Sequence, residues 1–494
     1  MVMRIGGLAS GINTDEIIQK LMSAERLPLD KMNQDRTLLE WQRDGYREIY
    51  QKLEEMDRYS IYEMKKPSTY NSKTVTSSLE SAVTATATTS ALEGSYSIEV
   101  SKLASSAIKV GTDKIGIDPN KALDEQGVAT GKVYFNTFDV ETNAMKQREV
   151  EIEAGDTLKD VLKKISDDKT NNVRAFYDEQ SQKVIFETTR TGDYNQGGEE
   201  ITFDSDFFNS TLKLQGAVEV GGTDAEFNYN GVEFTSKTNE YTMGGVTFKF
   251  NNVTEPGVKV NLNVEANVDQ AFDQIMDFVN KYNELVDMIN KSQTEERYRD
   301  YKPLTEEQKE GMSEKQIELW EEKAKSGILR GDTMLTSGLF NLRETWYSDV
   351  QNGGQYNVLT QVGISTGKDY LNGGKIEVDE TKLKEALKEN PDDVFKLFVN
   401  NEDGDGRGLI NRLEDSIGNM MKGIEERAGK STSTLDNYTL GRRMKDLDTR
   451  ISNFEDRLLS TENRYWRQFN AMEQAISRLN NQSAQLLSQF GGGM

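Results

Sequence analysis

The stretch that most constrains the fold is the last long one, from Leu440 to Phe490. Apolar residues recur there at alternating steps of four and three, which is the 3.5-residue period of a coiled coil. The first half of this seam contains Leu440, Met444, Leu447, Ile451, Phe454 and Leu458. No Gly or Pro lies between Arg442 and Phe490. The pattern predicts one helix of roughly 70 Å, which is too long to bury its whole seam in one small domain.

The seam shifts register once, between Tyr465 and Phe469. It resumes as Phe469, Met472, Ile476, Leu479, Ser483, Leu486 and Phe490. A four-residue shift of this kind is a stutter, which locally unwinds a supercoil and can mark a change of packing partner. We therefore expect intramolecular pairing before the stutter and intermolecular pairing after it.

The N-terminal region offers the partner helix that this seam needs. Asn13 or Thr14 is expected to cap a helix, and Pro28 is expected to end or interrupt it. A second helical pattern then covers 29–65. Its apolar seam includes Leu39, Tyr46 and Leu53, spaced by seven residues. The two ends of the chain should therefore come together as paired helices.

Between the helical ends, the apolar period changes to two, which is typical of β-strands. Tyr96, Ile98 and Val100 alternate in this way. Residues 111–222 combine several short strands with one short helix, which Asp156 is expected to cap. Helical periodicity returns near residue 269 and continues, with short interruptions, to the last helix.

The resulting order is helix, β, α+β insert, β, helix. We predict an α+β multidomain chain that is elongated, with terminal coiled-coil helices and nested β-rich head domains. The predicted parts are a terminal coiled-coil leg (1–40 with 440–494), a helical domain (41–67 with 268–439), a β head domain (68–110 with 223–267) and an outer α+β head domain (111–222).

Composition excludes several classes of function. The 494 residues include no Cys and no His, which rules out thiolate nucleophiles, disulfides and imidazole bases. Lys plus Arg is 60 and Asp plus Glu is 83, so the net charge of −23 opposes nucleic-acid binding. No apolar run approaches a membrane span, and the charged N-terminus lacks the apolar core of a signal peptide. We predict no enzymatic activity and no cofactor.

Short motifs occur in a specific joint order along nearly the whole chain. They are 7–13 (GLASGIN), 24–29 (AERLPL), 95–100 (SYSIEV), 278–283 (FVNKYN), 329–332 (LRGD), 362–365 (VGIS), 378–383 (VDETKL) and 469–473 (FNAME). In these motifs the chain resembles the flagellar filament-capping family, also called hook-associated protein 2. The charged segment 294–325 looks like an insertion relative to shorter members, so no role is transferred to it.

The resemblance implies a secreted, extracellular protein at the tip of the growing bacterial flagellar filament. Members of the family form ring-like homo-oligomers, typically pentamers or hexamers, with β heads as a plate and terminal helices as legs. The legs insert among flagellin subunits, and the cap retains exported flagellin and promotes its folding and insertion. The implied partners are flagellin, further copies of the chain, and an export chaperone that takes the C-terminal helix.

Interaction roles are assigned to apolar residues of the terminal helices. The residues expected to contact the oligomer or the filament are Leu8, Ile12, Ile17, Leu21, Leu458, Tyr465, Phe469, Met472, Ile476 and Leu479. The residues expected to contact the chaperone are Leu479, Leu486 and Phe490. No residue is assigned to catalysis, to a cofactor or to a metal.

Two other functions fit the same organisation. The chain would be an extracellular adhesin if the outer head bound a host ligand, or a hook–filament junction protein, which shares the coiled termini. Separately, residues 401–406 (NEDGDG) resemble the start of a calcium loop. Arg412 stands where that loop requires a bidentate Glu, so we interpret the segment as a polar turn.

Overall fold

The structure, a computed structural model, describes residues 13–367 and 373–490, with side chains as far as Leu487 at the C-terminal end. Its contacts divide the chain into two units. Asn71–Val268 form the β unit, and the described residues before and after it form the helical unit. The predicted α+β class and the nesting of β structure between two helical ends are confirmed.

Most of the α-helices belong to the helical unit. The α-helices are α1 Thr14–Glu55, α2 Tyr62–Met64, α3 Leu158–Asp167, α4 Val268–Thr294, α5 Glu306–Glu310, α6 Glu314–Lys325, α7 Thr333–Thr345, α8 Glu380–Glu389, α9 Pro391–Val399, α10 Leu409–Ala428 and α11 Thr439–Phe490. Helix α11 is continuous over 52 residues, as its seam predicts, and is roughly 78 Å long. Within 13–367 and 373–490, no helix has the length and apolar character needed to cross a bilayer.

The strands form antiparallel sheets. They are β1 Lys73–Ser77, β2 Val83–Ala87, β3 Gly94–Lys102, β4 Ser105–Val110, β5 Gly131–Asp139, β6 Ala144–Ile152, β7 Val173–Asp178, β8 Lys183–Thr191, β9 Ile201–Phe203, β10 Val220–Thr223, β11 Ala225–Tyr229, β12 Val232–Ser236, β13 Glu240–Met243, β14 Val246–Phe250, β15 Val260–Ala266, β16 Ile364–Thr366 and β17 Ile376–Val378. The sheet orders are β1-β15-β3-β11-β12, β13-β14-β2, β10-β4-β8-β7 and β6-β5-β9 in the β unit, and β16-β17 in the helical unit.

The prediction that Pro28 ends or interrupts the first helix is wrong. Pro28 lies inside α1, which runs unbroken from Thr14 to Glu55. A proline in a helix interior costs about 3 kcal/mol because it lacks the N–H that would bond four residues back. Packing along α1 outweighs this local cost. The start of α1 agrees with prediction, since the Asn13 side chain accepts a hydrogen bond from the Glu16 N–H at 3.3 Å.

The core of the helical unit is built around buried aromatic side chains. The ring of Trp346, just after α7, packs edge-on against Tyr282 of α4, with their centroids 5.3 Å apart. Tyr70, which follows α2, packs against Phe395 and Phe398 of α9 at 5.5 and 5.6 Å. These contacts join helices from before and after the β unit into one core, because their apolar faces have no other cover.

The first half of the β unit's core lies between the five-stranded sheet and the sheet β13-β14-β2. Alternate residues of β3 point inward, and Ile98 and Val100 are fully buried. Opposite them in register, Val260 of β15 faces Ile98. The period of two in this stretch therefore reports one buried face and one wetter face, as predicted.

The second half of this core surrounds α3. Three phenylalanines, Phe135, Phe186 and Phe208, meet with ring centroids 5.5–6.0 Å apart. Helix α3 contributes four buried apolar residues and has a strongly one-sided pattern. These residues are Leu158, Val161, Leu162 and Ile165. The short strands and single helix predicted for 111–222 are confirmed.

The predicted cap of α3 is wrong by one residue. Thr157, not Asp156, is the N-cap: its hydroxyl accepts from the Asp160 N–H at 3.2 Å, while the Asp160 carboxylate accepts from the Thr157 N–H at 3.0 Å. This reciprocal pair is a capping box. The Asp156 carboxylate instead accepts hydrogen bonds from Lys164 and from the Glu153 N–H, both at 2.7 Å.

Buried and partly buried ion pairs lie in the β unit. The Arg148 guanidinium donates to the Asp139 carboxylate at 2.9 Å, and Arg190 donates to Glu200 at the same distance. The N–H of Thr142, and then Arg148, lower the pKa of the Asp139 carboxyl to about 2. The folded state therefore favours the ionised form of Asp139.

Replacing one buried phenylalanine should destabilise the β unit. We expect Phe186→Ala to cost about 3–5 kcal/mol of unfolding free energy, because it leaves a cavity among packed rings. Phe176→Ala, at a residue on the neighbouring strand that is 42% exposed, is the matched control and should cost about 1 kcal/mol or less. Hydrogen exchange of the β5, β7 and β8 amides measures the difference. Equal costs would show that the phenylalanine cluster is not the core.

Acid should weaken the β unit through Asp139. The folded pKa of about 2 lies below the ordinary value of 3.8, so the stabilisation is present near neutral pH and is lost as the pH falls from about 4 to 2. In Asp139→Asn, which does not titrate, this part of the acid sensitivity should disappear. Thermal unfolding followed from pH 7 to 2 tests this, and identical acid slopes in the two proteins would contradict it.

Candidate interaction site on the paired terminal helices

Helices α1 and α11 lie side by side in opposite directions, as the seams predict. The hydroxyl of Tyr465 donates to the Glu25 carboxylate at 3.0 Å. Further along, the Arg36 guanidinium donates to the Asp448 carboxylate, and this hydrogen bond raises the pKa of Arg36. Both groups are partly exposed, so the ion pair contributes about 1 kcal/mol or less. It mainly fixes the register of the two helices.

The base of the pair is anchored in the helical unit. Arg47 of α1 donates to the carbonyls of Ala428 and Gly429, each at 3.1 Å. The Tyr46 hydroxyl donates to the Asp332 carboxylate at 2.6 Å. Burial, reinforced by this hydrogen bond, raises the pKa of Tyr46 above its usual range. These contacts therefore anchor α1 at the base of the pair.

Burial of the α11 seam decreases from base to tip. Leu440 and Met444 are fully buried and Leu458 is 8% exposed, while the three seam positions between them, Leu447, Ile451 and Phe454, are half-buried. The next four seam positions are half-buried: Tyr465, Phe469, Met472 and Ile476. Leu479 is then 63% exposed and Leu486 54%. The seam is thus closed at its base, partly covered in the middle and open at its end.

The register of the two helices indicates where α1 stops covering the apolar seam of α11. Counting along both helices, the Glu25–Tyr465 contact places Thr14 opposite Ile476, whereas the Arg36–Asp448 contact places it opposite Asn470, so α1 begins opposite 470–476. The change to full exposure follows Ile476 and does not occur at Phe469. The stutter at Tyr465 to Phe469 therefore does not end intramolecular pairing within the described residues. Pairing continues until the described part of α1 begins.

On α1, two predicted contact residues, Ile17 and Leu21, are only partly covered. Ile18, Glu25 and Arg36 are spaced by seven and eleven residues and so share one side of the helix. Ile18 is 3% exposed, whereas Ile17 and Leu21 are 36% and 38% exposed. The structure separates a covered residue, Ile18, from an open strip made by Ile17 and Leu21.

Some predicted site residues lie outside the described part of the chain. Leu8 and Ile12 precede Asn13, and the side chain of Phe490 lies beyond Leu487. Conversely, sequence reasoning missed the Arg36–Asp448 and Glu25–Tyr465 contacts, because charged and polar positions beside a seam do not name their partners.

The segment 401–406 is contacted by the positively charged side chain of Arg412. The Arg412 guanidinium donates to the Asp405 carbonyl at 2.8 Å and to the Asp349 carbonyl at 3.2 Å. The Asn401 side chain accepts from Asn411 at 3.1 Å. No group of three or more acidic, His or Cys side chains converges as a metal site anywhere in the described ranges. The segment is a polar turn stabilised by an arginine.

Comparison with known proteins identifies relatives. The family model for the flagellar hook-associated protein 2 C-terminus matches residues 222–481, and that for its N-terminus matches 10–107. The chain is 38% identical to flagellar hook-associated protein 2 of Halalkalibacterium halodurans, over 99% of this chain and 100% of that protein. It is 24% identical to the protein of the same name from Thermotoga maritima, over 97% of this chain and 95% of that one.

A solved structure has a similar fold. The crystal structure of three domains of the flagellar cap protein from Escherichia coli superposes with a TM-score of 0.55. The match covers 82% of this chain and 99% of that chain, at 19% sequence identity. At this identity the similarity concerns the fold.

Two adjacent leucines of α11 test the pairing. Leu458→Ala should cost about 2–4 kcal/mol, because Leu458 is buried in the seam. Leu459→Ala, at a neighbouring position that is 59% exposed, should change stability by about 0.5 kcal/mol or less. Hydrogen exchange of α1 amides between 18 and 36 reports the loss of pairing. Loss of protection in both variants, or in neither, would contradict the register described above.

Proposed function

The chain belongs to the flagellar hook-associated protein 2 family, and from this premise we propose that it caps the distal end of the bacterial flagellar filament. Several copies assemble there, retain exported flagellin and promote its folding and insertion. The chain is secreted and acts outside the cell. Its role is structural and includes no enzymatic step.

The observation that carries the proposal is the incomplete cover of the paired terminal helices. Leu479 and Leu486 are exposed beyond the reach of the described part of α1, and Ile17 and Leu21 form a second open strip. Apolar area removed from water contributes about 25 cal/mol per Å². A seam anchored at its base and open at its end supports a leg that completes its packing against helices of other subunits.

Two partners would use the end of α11 at different times. We assign Ile17, Leu21 and Leu479 to flagellin or neighbouring cap subunits, and Leu479, Leu486 and Phe490 to an export chaperone. Because Leu479 serves both, the two partners exclude each other. Export separates them, since the chaperone acts in the cytoplasm and the filament tip lies outside. The chaperone would also keep exposed leucines from aggregating before export.

Assembly into a ring is part of the same proposal. We expect a homo-oligomer of five or six copies, with the β units forming the plate and the helix pairs forming the legs. The resemblance of the chain to the capping family supports this arrangement. Ordering of the open seam when the legs bind would cost conformational entropy and so favour release and rebinding as the filament grows.

Tip binding tests the proposed function directly. Labelled protein added to detached filaments grown without a cap should mark one end only. Ile17→Ser with Leu21→Ser should reduce tip occupancy about tenfold or more, because two apolar contacts are lost. Leu27→Ser, at a more exposed position on another side of α1, is the control and should bind as well as the unchanged protein.

The same experiment can refute the proposal. Label along the sides of the filament, or no label, would favour the adhesin or junction function. Tip labelling that survives the double substitution would retain the cap function but remove Ile17 and Leu21 from the interface.

A further inference from the structure

The charged segment 294–325, called the insertion below, leaves the body of the helical unit and returns to it at one point. Its two ends touch: the Ser326 hydroxyl donates to the Glu296 carbonyl at 2.6 Å. The Arg297 guanidinium also donates to the carbonyls of Ala324 and Ser326, at 2.7 and 3.0 Å. Residues 297–325 therefore leave and rejoin the unit at one point, and their removal requires only a short link.

The insertion has a small aromatic core. The rings of Tyr301 and Trp320 lie 4.6 Å apart, and the Trp320 indole N–H donates to the Lys302 carbonyl at 2.8 Å. Lys309 of α5 is 3.7 Å from the Glu321 carboxylate of α6. These contacts tie α5 and α6 to the preceding loop, so the insertion is a structured element despite its high charge.

The insertion packs beside α1. The Gln34 side chain donates to the Pro303 carbonyl at 2.9 Å in a part-buried contact. The Lys325 ammonium lies over the Trp41 ring, 4.9 Å from its centroid. Gln34 and Arg36 are two residues apart and so point to nearly opposite sides of α1. The insertion and α11 therefore hold α1 from two different sides.

The insertion contacts α1 after Pro28, at Gln34 and Trp41, and faces the earlier part of α1 across a gap. A groove of about 790 Å³ separates them, and its α1 wall runs from Gln19 to Thr37. On the other side, Pro28 borders a groove of about 680 Å³ shared with Phe454 and neighbouring residues of α11. Helix α11 therefore leaves space beside the proline, where α1 lacks one backbone hydrogen bond.

From these contacts, we propose that residues 297–325 are a splint that keeps α1 helical across Pro28. The proline is the weakest point of α1, because it lacks the N–H for the Ala24 carbonyl. The Glu25–Tyr465 contact holds α1 before this point, and the opposed contacts of Gln34 and Arg36 hold it after. The splint leaves open the side of α1 that carries Ile17 and Leu21. This inference concerns α1 alone and does not depend on the proposed function.

A double-mutant cycle tests the splint in the full chain. Residues 297–325 are replaced by two glycines, with and without Pro28→Ala, which restores the missing backbone N–H. In the proline background, excision should accelerate hydrogen exchange of amides 24–34 about tenfold or more. In the Pro28→Ala background, it should accelerate the same amides about threefold or less. Equal acceleration in both backgrounds, or none in either, would overturn the proposal.

If excision disturbs the folding of the whole helical unit, a point variant still tests the proposal. Gln34→Ala removes the hydrogen bond to Pro303 and should accelerate the same amides, again less in the Pro28→Ala background. Lys315→Ala, at an exposed position of α6, is the control and should change nothing. Protection in α10 confirms that the unit remains folded. If Gln34→Ala and Lys315→Ala gave the same exchange, the insertion would not support α1.

Discussion

The antiparallel pairing of α1 with α11 is the constraint on which the rest of the helical unit depends. Because these helices come from opposite ends of the sequence, everything between them must leave and return. Where such a segment begins and ends, its first and last strands pair with each other. Strands β1 and β15 pair at Lys73 and Ala266, and β4 and β10 pair at Ile108 and Val220. Because the ends of each inserted segment lie side by side, a large segment is added at small entropic cost to the structure that carries it.

The helix pair is also graded in stability along its length. At its base, hydrogen bonds from Tyr46 and Arg47 join it to the helical unit. Toward the tip the seam becomes half-buried and then open. Local stability follows buried apolar contact, so the tip is the part most easily remodelled by a partner. The same gradient gives the helix pair a firmly packed base and a loosely packed tip.

Much of this organisation could be predicted from sequence, because periodicity is a local signal. The seam of α11, the cap at Asn13 and the alternation in β3 were each predicted from neighbouring residues and confirmed. Pro28 was misjudged because local propensity opposes a helix there, and only contacts from distant residues outweigh it. The burial of Ile18 beside the partly open Ile17 was not predicted, because the sequence does not say which side of a helix meets its partner.

The sequence by itself determined the class of fold, the order of its parts and the presence of an apolar seam at each end. These features follow from residue spacing, which each segment carries alone. Tertiary structure decided the register of the helix pair, the point after Ile476 where its cover ends, and the side of α1 left open. It also placed the charged segment 297–325 beside α1, at Gln34 and Trp41. These depend on contacts between residues hundreds of positions apart, which periodicity does not encode.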